Sequence, residues 1–209
     1  MAASPSILHV VGSPRGEASA STRVARAFLD GCAEGSAAPR VTTLDVWTAD
    51  LPRFDRDLAV AKLAPLVGET RTPAQEEAWG RVERVVADFA RHDKIVISTP
   101  MWNFHLPWEL KHFFDLLVQP GLSFGVNDAY EHVGLLEDRP VQLILSRSSR
   151  FPEGSPDDFQ LPYLKHVLGF IGLHDVRVLV VEGTTLPRPA REELLAGYCE
   201  KARAAAVRF

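Results

Sequence analysis

Cysteine occurs only twice in 209 residues, at Cys32 and Cys199, too sparsely for a disulfide framework or a zinc-ligand spacing. Both fall in predicted helices, where a small buried hydrophobe is the ordinary role of the residue. Neither heads an anion-cradling loop, and no G-x-S-x-G elbow occurs, so a covalent hydrolase has no support. Long apolar runs are also missing; none approaches the roughly 20 residues needed to span a bilayer. Met1–Pro5 carries no basic segment, and the apolar run Ile7–Val11 is too short for a secretory signal. Positive charge is not in excess: 23 Lys and Arg against 27 Asp and Glu give a formal net charge of -4, and the basic residues are scattered. A nucleic-acid partner is therefore not expected, nor a membrane. A reducing cytoplasm suits these absences together. The nucleotide fingerprints G-x-G-x-x-G and G-x-x-x-x-G-K-[ST] are absent as well, and the chain has no internal repeat and no low-complexity stretch.

What is present is an ordinary globular balance, 46% hydrophobic and 24% charged, on a length that suits one α/β domain spanning 1–209. Five short apolar runs read as strands: Ile7–Val11, Val41–Val46, Lys94–Ser98, Val141–Ser146 and Val176–Val181. Each is continuous in Val, Ile and Leu rather than alternating, the pattern of a strand buried on both faces. Helical patterns lie between them. Thr22–Cys32 carries an apolar stripe, and Thr72-Pro73 followed by Gln75-Glu76 supplies a cap, a first-turn proline and an acidic first turn. Further helices are expected from Leu106 to Val118, from Leu161 to Ile171 and from Pro189 to Val207, with a short one around Leu58–Val67. Strand and helix alternating five times specify a doubly wound five-stranded parallel sheet with helices on both faces.

In such a sheet a ligand binds beyond the carboxyl ends of the strands, where strand order reverses. Three loops there have unusual sequence. The first, Gly12 to Thr22, is rich in hydroxyls and small residues and leads into a helix. Ser13, Ser19, Ser21 and Thr22, with Arg15 nearby, suit a single phosphate at the helix N-terminus, although Ser19 or Ser21 as a simple helix cap is the plainer alternative. The second runs Thr99-Pro100-Met101-Trp102-Asn103-Phe104-His105-Leu106-Pro107-Trp108. It offers a stiff strip of rings and one amide, matching the edge of a flat heteroaromatic ligand, with a hydrophobic corner packed on the following helix as the alternative. The third, Ser146-Arg147-Ser148-Ser149-Arg150, permits close backbone approach, with Arg147 suited to favour negative charge on such a ligand, although a solvated turn with two surface arginines is the plainer alternative. His105 and Glu109 read as helix-start residues, and no catalytic side chain is assigned.

These loops together resemble the FMN-dependent NADH-azoreductase (NADH:quinone oxidoreductase) family, which has a flavodoxin-like fold. Ser13-Pro14-Arg15-Gly16 with Ser19-Ala20-Ser21 is similar to its phosphate loop, and Pro100-Met101-Trp102-Asn103-Phe104 to its P-M-Y-N-F motif, with Trp102 in the usual tyrosine place. Gly134-Leu135-Leu136 and Leu168–Val176 agree as well. The resemblance implies that Ser13, Ser19, Ala20 and Ser21 hold the FMN phosphate side. It likewise implies that Met101, Trp102, Asn103 and Phe104 line the isoalloxazine, with Ser146, Arg147, Ser148 and Ser149 at its pyrimidine edge. It implies a homodimer with each active site at the interface and the loop around Ser123-Phe124 reaching towards the partner. NADH or NADPH is the implied electron donor, and quinones or aromatic azo compounds the acceptors, in a ping-pong cycle. The chain departs from the family at Ser148-Ser149, where Gly-Gly is usual. The alternative is a flavodoxin-like electron carrier without nucleotide oxidase activity, for whose docking a net charge of -4 is modest.

Overall fold

The computed structural model describes residues 4–35 and 38–209. Five parallel strands form one sheet in the order β2 (Arg40–Asp45), β1 (Ser6–Val11), β3 (Lys94–Pro100), β6 (Val141–Ser146) and β7 (Val176–Val181). The two remaining strands, β4 (Phe124–Val126) and β5 (His132–Gly134), make a separate antiparallel hairpin between β3 and β6. Three-residue strands leave too little periodicity to read, so this excursion was not foreseen from the sequence.

In β1, β3 and β6 the continuous apolar run has the expected cause, successive side chains entering two different cores; β2, expected to be buried likewise, is an edge strand exposed over its first four residues. Leu8, Val10, Ile95, Ile97, Leu143 and Leu145 face one side of the sheet. There they meet Val86 and Phe89 of α3 (Pro73–Ala90), Leu110, Phe113, Phe114 and Leu117 of α4 (Trp108–Leu117), and Leu164 and Leu168 of α5 (Gln160–Phe170). The intervening Ile7, Val96, Ile144 and Val181 face the other side, against Val24 and Phe28 of α1 (Ala20–Ala33) and Leu195 and Ala202 of α6 (Arg188–Ala206). No helix among the described residues is long and apolar enough to cross a membrane.

Local chemistry sets the helix boundaries. Thr72 and Gln75 form a reciprocal capping box with Pro73 in the first turn of α3, as their spacing predicts. The short helix around Leu58 starts earlier than expected, as α2 (Arg56–Leu63), because the Asp55 carboxylate accepts the Leu58 N–H at 3.1 Å. Pro65 then tightens the chain into a 3-10 turn, Ala64–Val67. The stretches Gly134-Leu135-Leu136 and Leu168–Val176, far apart in sequence, meet in space. A Cβ on Gly134 would lie 2.2 Å from the Gly172 nitrogen, so only glycine lets the hairpin rest on the end of α5.

Candidate active site

The loop after β1 ends in a helix start that is left open. Ser19 occupies the N-cap of α1 with extended backbone (φ -79°, ψ 137°), yet its side chain makes no cap bond. Its hydroxyl instead lies 3.0 Å from that of Ser21. The N–H groups of Ala20, Ser21 and Thr22 consequently have no hydrogen-bond acceptor among the described residues. Free N–H groups at the positive end of a helix form an anion site. Ser13 and Ser21 are buried, the Ser13 hydroxyl accepting the Arg15 N–H at 3.4 Å. Arg15 is exposed and has no ion-pair partner among the described residues, so its charge remains available at the loop. Gly12 lets this loop pass close to its neighbours: a Cβ there would sit 2.8 Å from Leu110 Cδ2.

The loop after β3 is a tight reversal. Trp102 and His105 exchange backbone hydrogen bonds at 3.0 and 2.9 Å, leaving Asn103 (φ 46°) and Phe104 (φ 68°) as the two residues of the turn. Asparagine tolerates this conformation, which accounts for the amide between two aromatics without reference to a ligand. Phenylalanine does not, and strain of about 1–3 kcal/mol is stored at Phe104. The Trp102 ring is 41% exposed and lies 5.9 Å from Trp47, which in turn meets Trp108 edge-on at 5.8 Å. Trp47 is itself fixed by its indole N–H donating to the Gly12 carbonyl at 3.2 Å. Three tryptophans thus pack in a row, joined through Trp47 to the loop after β1.

The loop after β6 uses Ser148 and Ser149 without strain, since neither has positive φ. The departure from Gly-Gly therefore demands nothing unusual of the backbone here. Arg147 is placed differently from the sequence expectation. Its side chain is 4% exposed, lies 2.7 Å from Asp158 and 4.0 Å from Glu182, and does not line the cleft. Its charge is thus committed to two carboxylates, not directed at a ligand ring.

Backbone bonds draw the loops together. Gly12 N donates to Ser98 O, Met101 N to Ser146 O and Arg147 N to Val181 O, each at 2.8 Å. Between them lies a cleft of about 360 Å³, the size of a small-molecule site. Ser13, Ser19 and Ala20 line it at one end, Met101 and Trp102 at the other, with Ser146 and Ser148 along its side. Ser21 lies beneath the lining, paired to Ser19, whereas Asn103, Phe104 and Ser149 are exposed around it. The His105 ring lies tilted against Tyr163 with centroids 4.7 Å apart, and Glu109 lies 3.6 Å from His112; neither borders the cleft.

Several lining residues were not foreseen: Glu17, Arg23, Thr184, Arg191 and Glu192. Arg23 and Glu192 pair at 2.5 Å across α1 and α6, and the arginine holds the Glu192 carboxyl below its usual range. Their only sequence signal was the amphipathic pattern of two helices destined for one face of the sheet. Asp158 and Gln160, at the start of α5, were also missed. Gln160 is fully buried, donating to the Pro100 carbonyl at 2.8 Å while its Oε1 has no partner. Leaving that acceptor bare costs about 1–3 kcal/mol.

The donor set fits FMN, with unpartnered N–H groups, hydroxyls and a free arginine for one phosphate and a rigid aromatic strip for the ring. Known proteins agree. Residues 5–206 match a family model described as flavodoxin-like fold. The chain is 45% identical over 207 residues to the FMN-dependent NADH:quinone oxidoreductase of Nitratidesulfovibrio vulgaris (strain DP4), covering 97% of this chain and 99% of that one. To the enzyme of the same name from Desulfotalea psychrophila it is 35% identical, covering 91% of each. The azoreductase from Bacillus anthracis str. Sterne superimposes with a TM-score of 0.85 at 24% identity, covering 98% of this chain and all of that one. The FMN-dependent NADH-azoreductase from Bacillus anthracis str. Ames Ancestor in complex with FMN gives 0.85 at 22% identity, covering 98% of each, and at these identities the likeness is one of fold. On sequence and architecture together, the chain belongs to the flavodoxin-like family and, within it, to the FMN-dependent NADH:quinone oxidoreductases.

Proposed function

We propose that the protein is an FMN-dependent oxidoreductase that passes two electrons from NADH or NADPH to quinones and aromatic azo compounds. The observation that carries this reading is the convergence, in one cleft, of an uncapped helix start with a ring-bearing strip of backbone. Ala20, Ser21 and Thr22 offer their N–H groups, and Ser13 and Ser19 their hydroxyls, to the phosphate. Arg15 adds a mobile positive charge from the exposed side. Met101, Trp102, Asn103 and Phe104 border the ring, with Ser146, Ser148 and Ser149 at its pyrimidine edge, while Arg147, whose N–H and carbonyl are taken by Val181 and Thr184, holds that loop in place. Bound there, FMN supplies the redox chemistry, taking a hydride from the nicotinamide and giving two electrons to the acceptor.

The chain contributes position and exclusion rather than an acid or base. No side chain is required as a nucleophile, and the exposed indoles of Trp102 and Trp108 give flat donors and acceptors a common stacking surface. One surface serving both in turn requires the oxidised nucleotide to leave before the acceptor enters, which is ping-pong kinetics. The whole chain acts as a single domain in the cytoplasm, as a homodimer with each site at the interface. Exposed Phe104, Trp108 and Phe159, next to or bonded to the loop after β3, support a partner surface there.

The test is the absorbance spectrum of the purified protein, followed by anaerobic NADH or NADPH and then a quinone or azo dye. A flavin spectrum bleached by nucleotide and restored by acceptor is expected. A flavin bleached only with an added protein reductase would make the protein an electron carrier instead.

A further inference from the structure

We propose that Asp158 and Gln160 are positioning residues that set the spacing of the two loops bordering the flavin ring, an inference that rests on the FMN reading above. Three consecutive residues at the start of α5 each fasten a different point. The Asp158 carboxylate accepts the Arg147 guanidinium at 2.7 Å through Oδ2, holding the loop after β6. Phe159 N donates to the Phe104 carbonyl at 3.2 Å, holding the tip of the loop after β3. Gln160 Nε2 donates to the Pro100 carbonyl at 2.8 Å, holding the root of that same loop.

The clamp is itself rigid. Asp158 Oδ1 accepts the N–H groups of Gln160 and Leu161, both at 3.1 Å, so one carboxylate both caps α5 and binds Arg147. Neither Asp158 nor Gln160 lines the cleft, so both act through the loops they hold. Packing alone does not call for these residues. Arg147 Nε and Gln160 Oε1 are buried without hydrogen-bond partners, and an apolar corner would leave no such atoms bare. What the polar corner supplies is direction: it fixes carbonyls and a turn whose Asn103 and Phe104 are held at positive φ. The spacing of Met101–Phe104 from Ser146–Ser149 then belongs to the folded apoprotein and does not have to be imposed by the flavin.

The test is FMN titration of the apoproteins of wild type, Gln160→Leu and Asp158→Asn by quenching of flavin fluorescence, with apoprotein thermal melts and flavin midpoint potentials. Gln160→Leu removes the bond to Pro100 at nearly constant volume. Asp158→Asn keeps an acceptor for the helix cap and removes the charge facing Arg147. A rise in the FMN dissociation constant of tenfold or more for Gln160→Leu and threefold or more for Asp158→Asn is expected, with a displaced potential. Folded variants that melt lower yet bind FMN within twofold of wild type, at unchanged potential, overturn the inference and leave the FMN reading standing. Should Gln160→Leu not fold, the near-isosteric Asp158→Asn decides by the same criterion. Wild-type apoprotein that binds no FMN overturns the FMN reading, and the inference falls with it.

Discussion

Lowering the pH from 7 to 5 should weaken the fold by roughly 2 kcal/mol through one side chain, His9. It lies on β1, 5% exposed, with Nε2 2.9 Å from the Ser98 hydroxyl on β3. Burial, assisted by the Arg26 charge, pushes its pKa from 6.5 down to about 4. A depressed histidine leaves the unfolded chain binding more protons than the native one between these values. Its contribution is therefore complete above pH 6.5 and is lost as the pH falls towards 4. The interval from 6.5 to 5 is about 1.5 units at about 1.4 kcal/mol each, which gives the figure above. Asp93 and Asp138, held below the usual carboxylate range chiefly by hydrogen bonds from the backbone of Ser6 and His174, lose their contributions only in more acidic solution. His105, also lowered by burial, acts in the same direction as His9, so the comparison must be with His9→Gln. Urea denaturation of both proteins at pH 7 and pH 5 measures the difference. The variant should lose about 2 kcal/mol less than wild type on acidification. Equal losses would show that His9 titrates normally in the native state and would refute the reasoning. The proposed site is linked to this residue, because the Ser98 carbonyl receives the Gly12 N–H at the start of the loop after β1.

Other outcomes follow from the same contacts. Ala20→Pro removes one free N–H at the first position of α1, where proline is accommodated and where Ser19 already has the extended backbone that must precede it. FMN affinity should fall on the order of tenfold, for one charge-assisted hydrogen bond, while riboflavin affinity and the melting temperature hold; equal loss for both ligands would place the phosphate elsewhere. Arg147→Ala strands the mostly buried Asp158 and should cost about 3 kcal/mol in denaturant unfolding; a loss below about 0.5 kcal/mol would mark the pair as a solvated one. Phe104→Gly relieves a positive φ at a half-exposed side chain, so the apoprotein should gain about 1 kcal/mol while FMN affinity drops. A less stable apoprotein would show that Phe104 contributes more through packing than it loses to strain.

The centre of the sheet was legible in the sequence because burial on two faces leaves β1, β3 and β6 continuously apolar, whereas the exposed edge strand β2 follows that pattern only weakly. β6 and β7 fall where the pattern puts them, Val141–Ser146 and Val176–Val181. The loops were legible for a similar reason: serines before a helix, and aromatics between prolines, are poor material for a core. Roles within the loops were harder to read. Asn103 read as a ligand contact, yet its residue type already suits its positive φ. Arg147 read as an electrostatic group for the ring, yet its charge is satisfied by Asp158, eleven residues on, in a stretch with no periodicity to signal it. Arg191 and Glu192 reach the cleft only because α6 packs beside α1, and Thr184 because the loop after β7 is tied to the Arg147 carbonyl, tertiary facts that no local pattern encodes.

On this reading the turns after β1, β3 and β6 together hold one FMN. A crystal structure of the protein grown with FMN tests it most directly. The phosphate should lie on the N–H groups of Ala20, Ser21 and Thr22, with the ring beside Met101 and Trp102. Phosphate density away from the start of α1, or a cleft that stays free of flavin at saturating FMN, would contradict it.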